Sequence, residues 1–169
     1  MRSGFVSIVG RPNVGKSTLL NSILDYKIAI TSNKAQTTRN IIQGIYNEPD
    51  TQIIFLDTPG IHKPQSKLGK ILNKESYSVM KDVDAILFVV DAKGGFGAGD
   101  KMILESLKKT NSPVFLILNK IDQMTEEEIF CAIASYKDIF PFAEIVPVSA
   151  LKKDNIDHLI EVIKKYLTD

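Results

Sequence analysis

The sequence predicts a three-layer α/β domain: a six-stranded, mostly parallel sheet with helices on both faces and one antiparallel strand at its edge. Three observations predict it. Strand-length apolar runs alternate with amphipathic helical stretches along the chain, a glycine-rich turn separates the first run from the first helix, and two neighbouring apolar runs are joined by only four residues.

Each element has its own justification. "GFVSIV" (4–9) is an apolar run of strand length closed by Gly10, and "TLLNSILDY" (18–26) carries the helical spacing that follows it. "IIQGIY" (41–46) and "TQIIFL" (51–56) read as strands, and the "NEPD" between them is too short for a parallel crossover. These two therefore form an antiparallel hairpin at one edge. "AILFVV" (85–90) and "VFLIL" (114–118) are continuous apolar runs, the mark of strands covered on both faces, with the helical "MILESLKK" (102–109) between them. "IFCAIASYKDIF" (129–140) predicts a helix whose apolar face includes Cys131 as a core thiol. "EIVPV" (144–148) is the last strand and "IDHLIEVIKKYL" (156–167) the last helix, with His158 in a structural role. Residues 26–39 and 60–68 lack periodicity and are expected to be functional loops.

Bulk properties narrow the class further. At 169 residues the chain has the size of one domain, expected to span 1–169. Lys and Arg number 21 against 20 Asp and Glu, so no net field recruits nucleic acid or an anionic membrane by itself. The lone cysteine excludes an intramolecular disulfide, and without a signal-like or membrane-spanning run the expected compartment is the cytoplasm.

Chemistry enters at "GRPNVGKST", which matches G-x-x-x-x-G-K-[ST] through Gly10, Gly15, Lys16 and Ser17. Residues Gly10, Arg11, Pro12, Asn13, Val14, Gly15, Lys16, Ser17 and Thr18 are expected to wrap phosphates. Inward amide hydrogens and the Lys16 charge bind the anion, while the Ser17 hydroxyl suits Mg²⁺. In "TQIIFLDTPG", Asp57 ends a predicted strand, where a Mg²⁺-holding carboxylate belongs, and the Gly60 backbone N–H can approach a terminal phosphate. "LNKID" places Asn119, Lys120 and Asp122 after a further strand. One carboxylate, Asp122, accepts the N1–H and N2–H₂ of guanine together, a pair of donors adenine lacks. Asn119 suits N7, and the Lys120 stem covers the ring or sugar while its head braces the phosphate loop. In "VSAL", small residues at Ser149 and Ala150, with Leu151 after them, let a backbone N–H reach guanine O6. All four motifs follow strand-like runs at their carboxyl ends, which form one ligand-binding rim in an open parallel sheet.

On "GRPNVGKSTLLN", "ITSNKAQTTRN", "FLDTPGIHKP", "LNKID" and "VSAL", the chain resembles the Era family of translation-factor-class, Ras-like P-loop GTPases. Der and MnmE are related families sharing most of these segments. The resemblance implies a GTP-hydrolysing switch with GTP and GDP as ligands and a role in small ribosomal subunit assembly. It makes Thr38 the switch threonine that joins the Mg²⁺ shell with Ser17 and Asp57, and residues 29–41 and 58–78 the two switches. The family carries a C-terminal KH-type RNA-binding domain that this chain is expected to lack, so binding to ribosomal RNA, and any membrane association, would run through that absent part. Where Ras-like enzymes place a water-orienting glutamine, this sequence has Ile61, which neither donates nor accepts a hydrogen bond. Intrinsic hydrolysis is therefore expected to be slow, with Lys16, Thr38, Gly60 and Asn13 as its catalytic residues. Family members with asparagine at the Asn13 place hold K⁺ beside the phosphates; the alternative left open is that Asn13 braces the loop. His62 and Arg39 are read as loop residues outside the chemistry, and Lys63, Lys67, Lys70 and Lys74, along the second switch and the helix after it, as a solvated face, the alternative being a face toward a ribosomal or RNA partner. Three other readings stand beside the Era-type switch: a GTP-sensing module with negligible turnover, the GTPase domain of a related family such as Der or MnmE, and a P-loop ATPase or kinase, which Asp122 disfavours.

Overall fold

The computed structural model describes residues 2–11, 14–24, 29–31, 42–57 and 83–168. Its order is β1 (Arg2–Val9), α1 (Lys16–Leu24), β2 (Ala29–Thr31), β3 (Ile42–Glu48), β4 (Thr51–Asp57), β5 (Ala85–Asp91), α2 (Ala98–Leu107), β6 (Val114–Asn119), α3 (Glu126–Lys137), β7 (Glu144–Pro147) and α4 (Ile156–Lys164). The strands form one sheet in the order β2-β3-β4-β1-β5-β6-β7.

Strands β4, β1, β5, β6 and β7 run parallel, and β3 pairs antiparallel with β4 from Glu48↔Thr51 to Ile42↔Leu56. The six expected strands thus pair in the expected directions. A seventh, β2, pairs antiparallel with β3 outside it, so β3 is not the outermost strand. Its three residues are too few for an alternation to register in sequence, which is why the stretch 26–39 reads as unpatterned.

Alternation along each inner strand builds two cores. In β5, Ala85, Leu87 and Val89 pack with α1 and α4, whereas Ile86, Phe88 and Val90 pack with α2 and the Tyr136 of α3. Helix α4 buries Ile156, Leu159, Ile160 and Ile163, the spacing of a single apolar stripe. Helix α3 departs from expectation. Its inward stripe is Ile129, Ala132, Ile133 and Tyr136, at i, i+3, i+4 and i+7, which rotates Cys131 and Phe130 outward. Cys131 is exposed, not a core thiol.

Two details fix the relative placement of elements. Glycine at 44 lets Leu24 of α1 lie on β3, since an added Cβ would stand 2.6 Å from Leu24 Cδ1. At the opposite end of the sheet from the rim, Lys164 of α4 reaches Glu48 of β3 at 2.6 Å, and Ser3 and Thr168 exchange backbone hydrogen bonds. Burial works against the Lys164 charge, but bonds to Glu48 and Glu161 outweigh it and raise its pKa.

Candidate functional site

The carboxyl ends of β1, β4, β5, β6 and β7 share one edge, and the predicted motifs line it. Gly10 is buried where β1 ends, and a Cβ there would stand 2.7 Å from the Val89 carbonyl oxygen. Only glycine lets the phosphate loop pass this close to β5. Gly15 adopts φ 98°, a left-handed conformation that turns the loop into α1, and its carbonyl accepts the first helical bond from Leu19 N–H at 2.8 Å. Lys16 is half-buried at the start of α1, with Ser17 and Thr18 exposed beside it. Pro12, Asn13, Thr38 and Gly60 lie outside the described residues, as do Ile61, His62, Arg39 and the four lysines 63, 67, 70 and 74. For Asp57 the backbone alone is described: it ends β4 paired with Ile8, two residues before Gly10.

Asn119 is the joint of the rim. Its side chain is buried, donates from Nδ2 to the Val14 carbonyl at 2.8 Å and accepts from Ala150 N–H on Oδ1 at 3.0 Å. One amide therefore ties the phosphate loop to the loop after β7, and still has an N–H to offer a ligand. Asp122 lies on the short 3₁₀ turn after β6, where Ser149 Oγ donates to its Oδ1 at 2.7 Å. The same hydroxyl accepts from Lys152 N–H at 3.1 Å, so Ser149 aims the carboxylate from a fixed loop. Paired backbone bonds between Ser149 and Asp154 close that loop, and Ser22 of α1 donates to the Ala150 carbonyl at 2.5 Å. Leu151 projects beyond it, 70% exposed.

Lys120 takes a left-handed backbone, φ 73°, and its ammonium lies 3.0 Å from Asp91 Oδ2. Burial tends to raise the Asp91 pKa; Gly94 N–H, Lys120 and Lys93 N–H outweigh it and hold the carboxyl below its usual value. Sequence reasoning missed Asp91, although it ends an apolar run just as Asp57 does. It also missed Asp100, which sits 89 positions from its partner Arg11. No spacing rule connects residues so far apart.

Chemically, the edge presents glycine-lined backbone and a lysine next to a helix start, then an oriented carboxylate one loop away. Such an arrangement has the chemistry to hold a phosphate tail and, one loop away, a base with paired N–H donors. Among the described residues no cluster of His, Cys, Asp or Glu suits a metal by itself, and no helix is long and apolar enough to cross a membrane.

Comparison with known proteins places the same residues in context. Residues 5–120 match the family described as 50S ribosome-binding GTPase. A solved structure of Era in complex with MgGDPNP and nucleotides 1506–1542 of 16S ribosomal RNA is 43% identical, with a TM-score of 0.83, over 100% of this chain and 58% of that one. A variant of Aquifex aeolicus Era bound to GDP·AlF4⁻ is 42% identical, with a TM-score of 0.82 and the same coverages, 100% and 58%. A bacterial selenocysteine-specific elongation factor shares the fold at 22% identity and a TM-score of 0.68, over 98% of this chain and 29% of its own. The chain thus spans about 58% of the length of the Era structures it matches.

Proposed function

The chain belongs to the family of 50S ribosome-binding GTPases and is Era-like along its whole length, and on that premise we propose a GTP-operated switch that hydrolyses GTP to GDP and phosphate. The observation that carries this reading is the Asn119 bridge. By joining Val14 to Ala150, it holds the phosphate-binding and base-reading segments at one fixed separation, as a single nucleotide requires.

In this reading the amides of residues 10–18 and the Lys16 ammonium hold the phosphates, and Asp122, aimed by Ser149, accepts the two guanine donors. The donor set suits Mg²⁺: the Ser17 hydroxyl at the start of α1, the Asp57 carboxylate at the end of β4, and Thr38 when the third phosphate is present are hard oxygen ligands. Mg²⁺, when bound, offsets charge on the phosphate oxygens. Gly60 N–H meets the third phosphate, and loss of that phosphate releases Thr38 and Gly60 together.

Ile61 supplies no proton acceptor, so the chain's own contribution to the chemical step is positioning. Asn13 is proposed as a residue that would hold a K⁺ near the phosphates, and such a cation would offset the charge that an arginine head offsets in related enzymes. Such a cationic group supplies up to about 10⁵-fold in related phosphoryl transfers. The proposed setting is the cytoplasm and the partner the small ribosomal subunit with its RNA, supported by the RNA-bound Era structure.

Phosphate release from GTP and from ATP, timed with Mg²⁺ in potassium and again in sodium, tests this. Turnover of GTP alone, faster in potassium, is expected. Equal rates in both salts remove the K⁺ role of Asn13, and no turnover above the spontaneous background leaves a GTP-sensing module.

A further inference from the structure

Arg11, the second residue of the phosphate loop, donates from Nε to Asp100 Oδ2 at 3.0 Å. Its stem lies over Gly99, where an added Cβ would come within 3.4 Å of Arg11 Cδ. Asp100 is fully buried in the first turn of α2 and accepts Gly97 N–H at 2.9 Å on that same oxygen. Its other oxygen, Oδ1, is buried with no partner among the described residues, and so is the Tyr136 hydroxyl. The Tyr136 pKa is pushed up to about 12, by burial first and then by the Asp100 charge.

A buried carboxylate so sparsely matched is a poor device for stability, because desolvation offsets what its one ion pair returns. Among the described residues its one cationic partner is a residue of the nucleotide loop. That loop is therefore held from two neighbouring strands: β6 holds its trailing half through Asn119 and Val14, and the segment after β5 holds its leading half through Asp100 and Arg11. Pro12 and Asn13 lie between the two anchors in sequence.

We propose that Asp100 is a positioning residue for nucleotide binding, fixing Arg11 so that the leading half of the phosphate loop is shaped before the nucleotide arrives. The proposal rests on the GTP reading above. Preorganisation of this kind raises affinity for GDP and GTP alike and leaves the chemical step untouched.

The test compares Asp100→Asn, Arg11→Gln and the double variant in the same chain. Release of a fluorescent GDP, the KM and kcat for GTP, and nucleotide-free melting are measured for each. Each single variant is expected to release GDP about tenfold faster and to raise KM by a similar factor, the loss of one charge-assisted hydrogen bond. For Asp100→Asn the kcat should stay within about twofold, and the double variant should release GDP no faster than the faster single one. Arg11→Lys, which keeps the charge, should recover part of the loss. Variants that melt earlier yet release GDP at the wild-type rate would overturn the proposal, as would additive effects in the double variant. Should Asp100→Asn not fold, Arg11→Gln, whose side chain is 34% exposed, carries the test alone. A wild-type chain that binds no GDP overturns the nucleotide reading and this proposal with it; a wild type that binds while the variants match it overturns this proposal only.

Discussion

Replacing Asp122 by asparagine should transfer the base preference from guanine to xanthine. The carboxylate is exposed on the turn after β6, and Ser149 Oγ holds its Oδ1 at 2.7 Å. Acceptor sites remain for N1–H and N2–H₂ of the base. Each of those charge-assisted bonds is worth about 1.5–3 kcal/mol; asparagine keeps only a neutral oxygen for N1–H, loses the N2–H₂ bond and sets N–H against N–H, so roughly 3–6 kcal/mol is lost in all. That is a loss of roughly 10²- to 10⁴-fold in GTP affinity. Asparagine turns an N–H toward the position where guanine has an amine and xanthine a carbonyl, so the clash with one base is a bond with the other. Displacement of a fluorescent GDP by GTP and by XTP reads both affinities. Ser149→Ala serves as the control: it frees the carboxylate without changing its chemistry, weakening GTP by about tenfold with no gain for XTP. If Asp122→Asn still selects GTP over XTP by the wild-type margin, the placement of the base against this turn is wrong.

Further outcomes follow from the same geometry. Asn119→Ala breaks the bonds to Val14 and Ala150 at once and should lower stability by about 2–3 kcal/mol while weakening GDP binding, read by denaturant melts with and without nucleotide. Asp91 has a pKa held below its usual value of 3.8, so its stabilisation is complete above that value and is lost as pH falls through the lower folded one. Asp91→Asn should therefore melt earlier than wild type at neutral pH, with the gap closing below about pH 4; a gap that persists in acid would refute the bonds from Gly94 N–H and Lys120 to the carboxylate as its source. Cys131 should react with a thiol reagent in the folded chain at nearly the rate of the unfolded chain, with no loss of stability on labelling, because its side faces solvent.

Much of the architecture was legible because continuous apolar runs are what a doubly covered strand requires, and β5 and β6 supply them almost without interruption. The hairpin of β3 and β4 was equally plain from the short "NEPD" link. Less legible were features that depend on phase or on distance. Whether "IFCAIASY" turns Cys131 in or out is a matter of rotation by about 100° per residue, and a run with apolar residues on both sides of the helix does not settle it. In the site, the motif residues Asn119 and Asp122 were identified by type, yet what holds them was not. That Asn119 braces the phosphate loop, and that the Ser149 hydroxyl steers Asp122, are contacts across 105 and 27 positions made only when the sheet brings its strand ends together. Asp91 and Asp100 stayed hidden for the same reason, since a single acid after an apolar run or in a first helical turn has ordinary capping uses.

The pairing of Ser3 with Thr168 sets a distance that any larger assembly must respect. From Ser3 to Gly10 the central strand climbs roughly 23 Å at the usual rise per residue. A segment joined after residue 168 would begin at the foot of that strand, with the Gly10 turn at its head. From that point of attachment such a segment stands the length of β1 away from the edge where the four motifs gather.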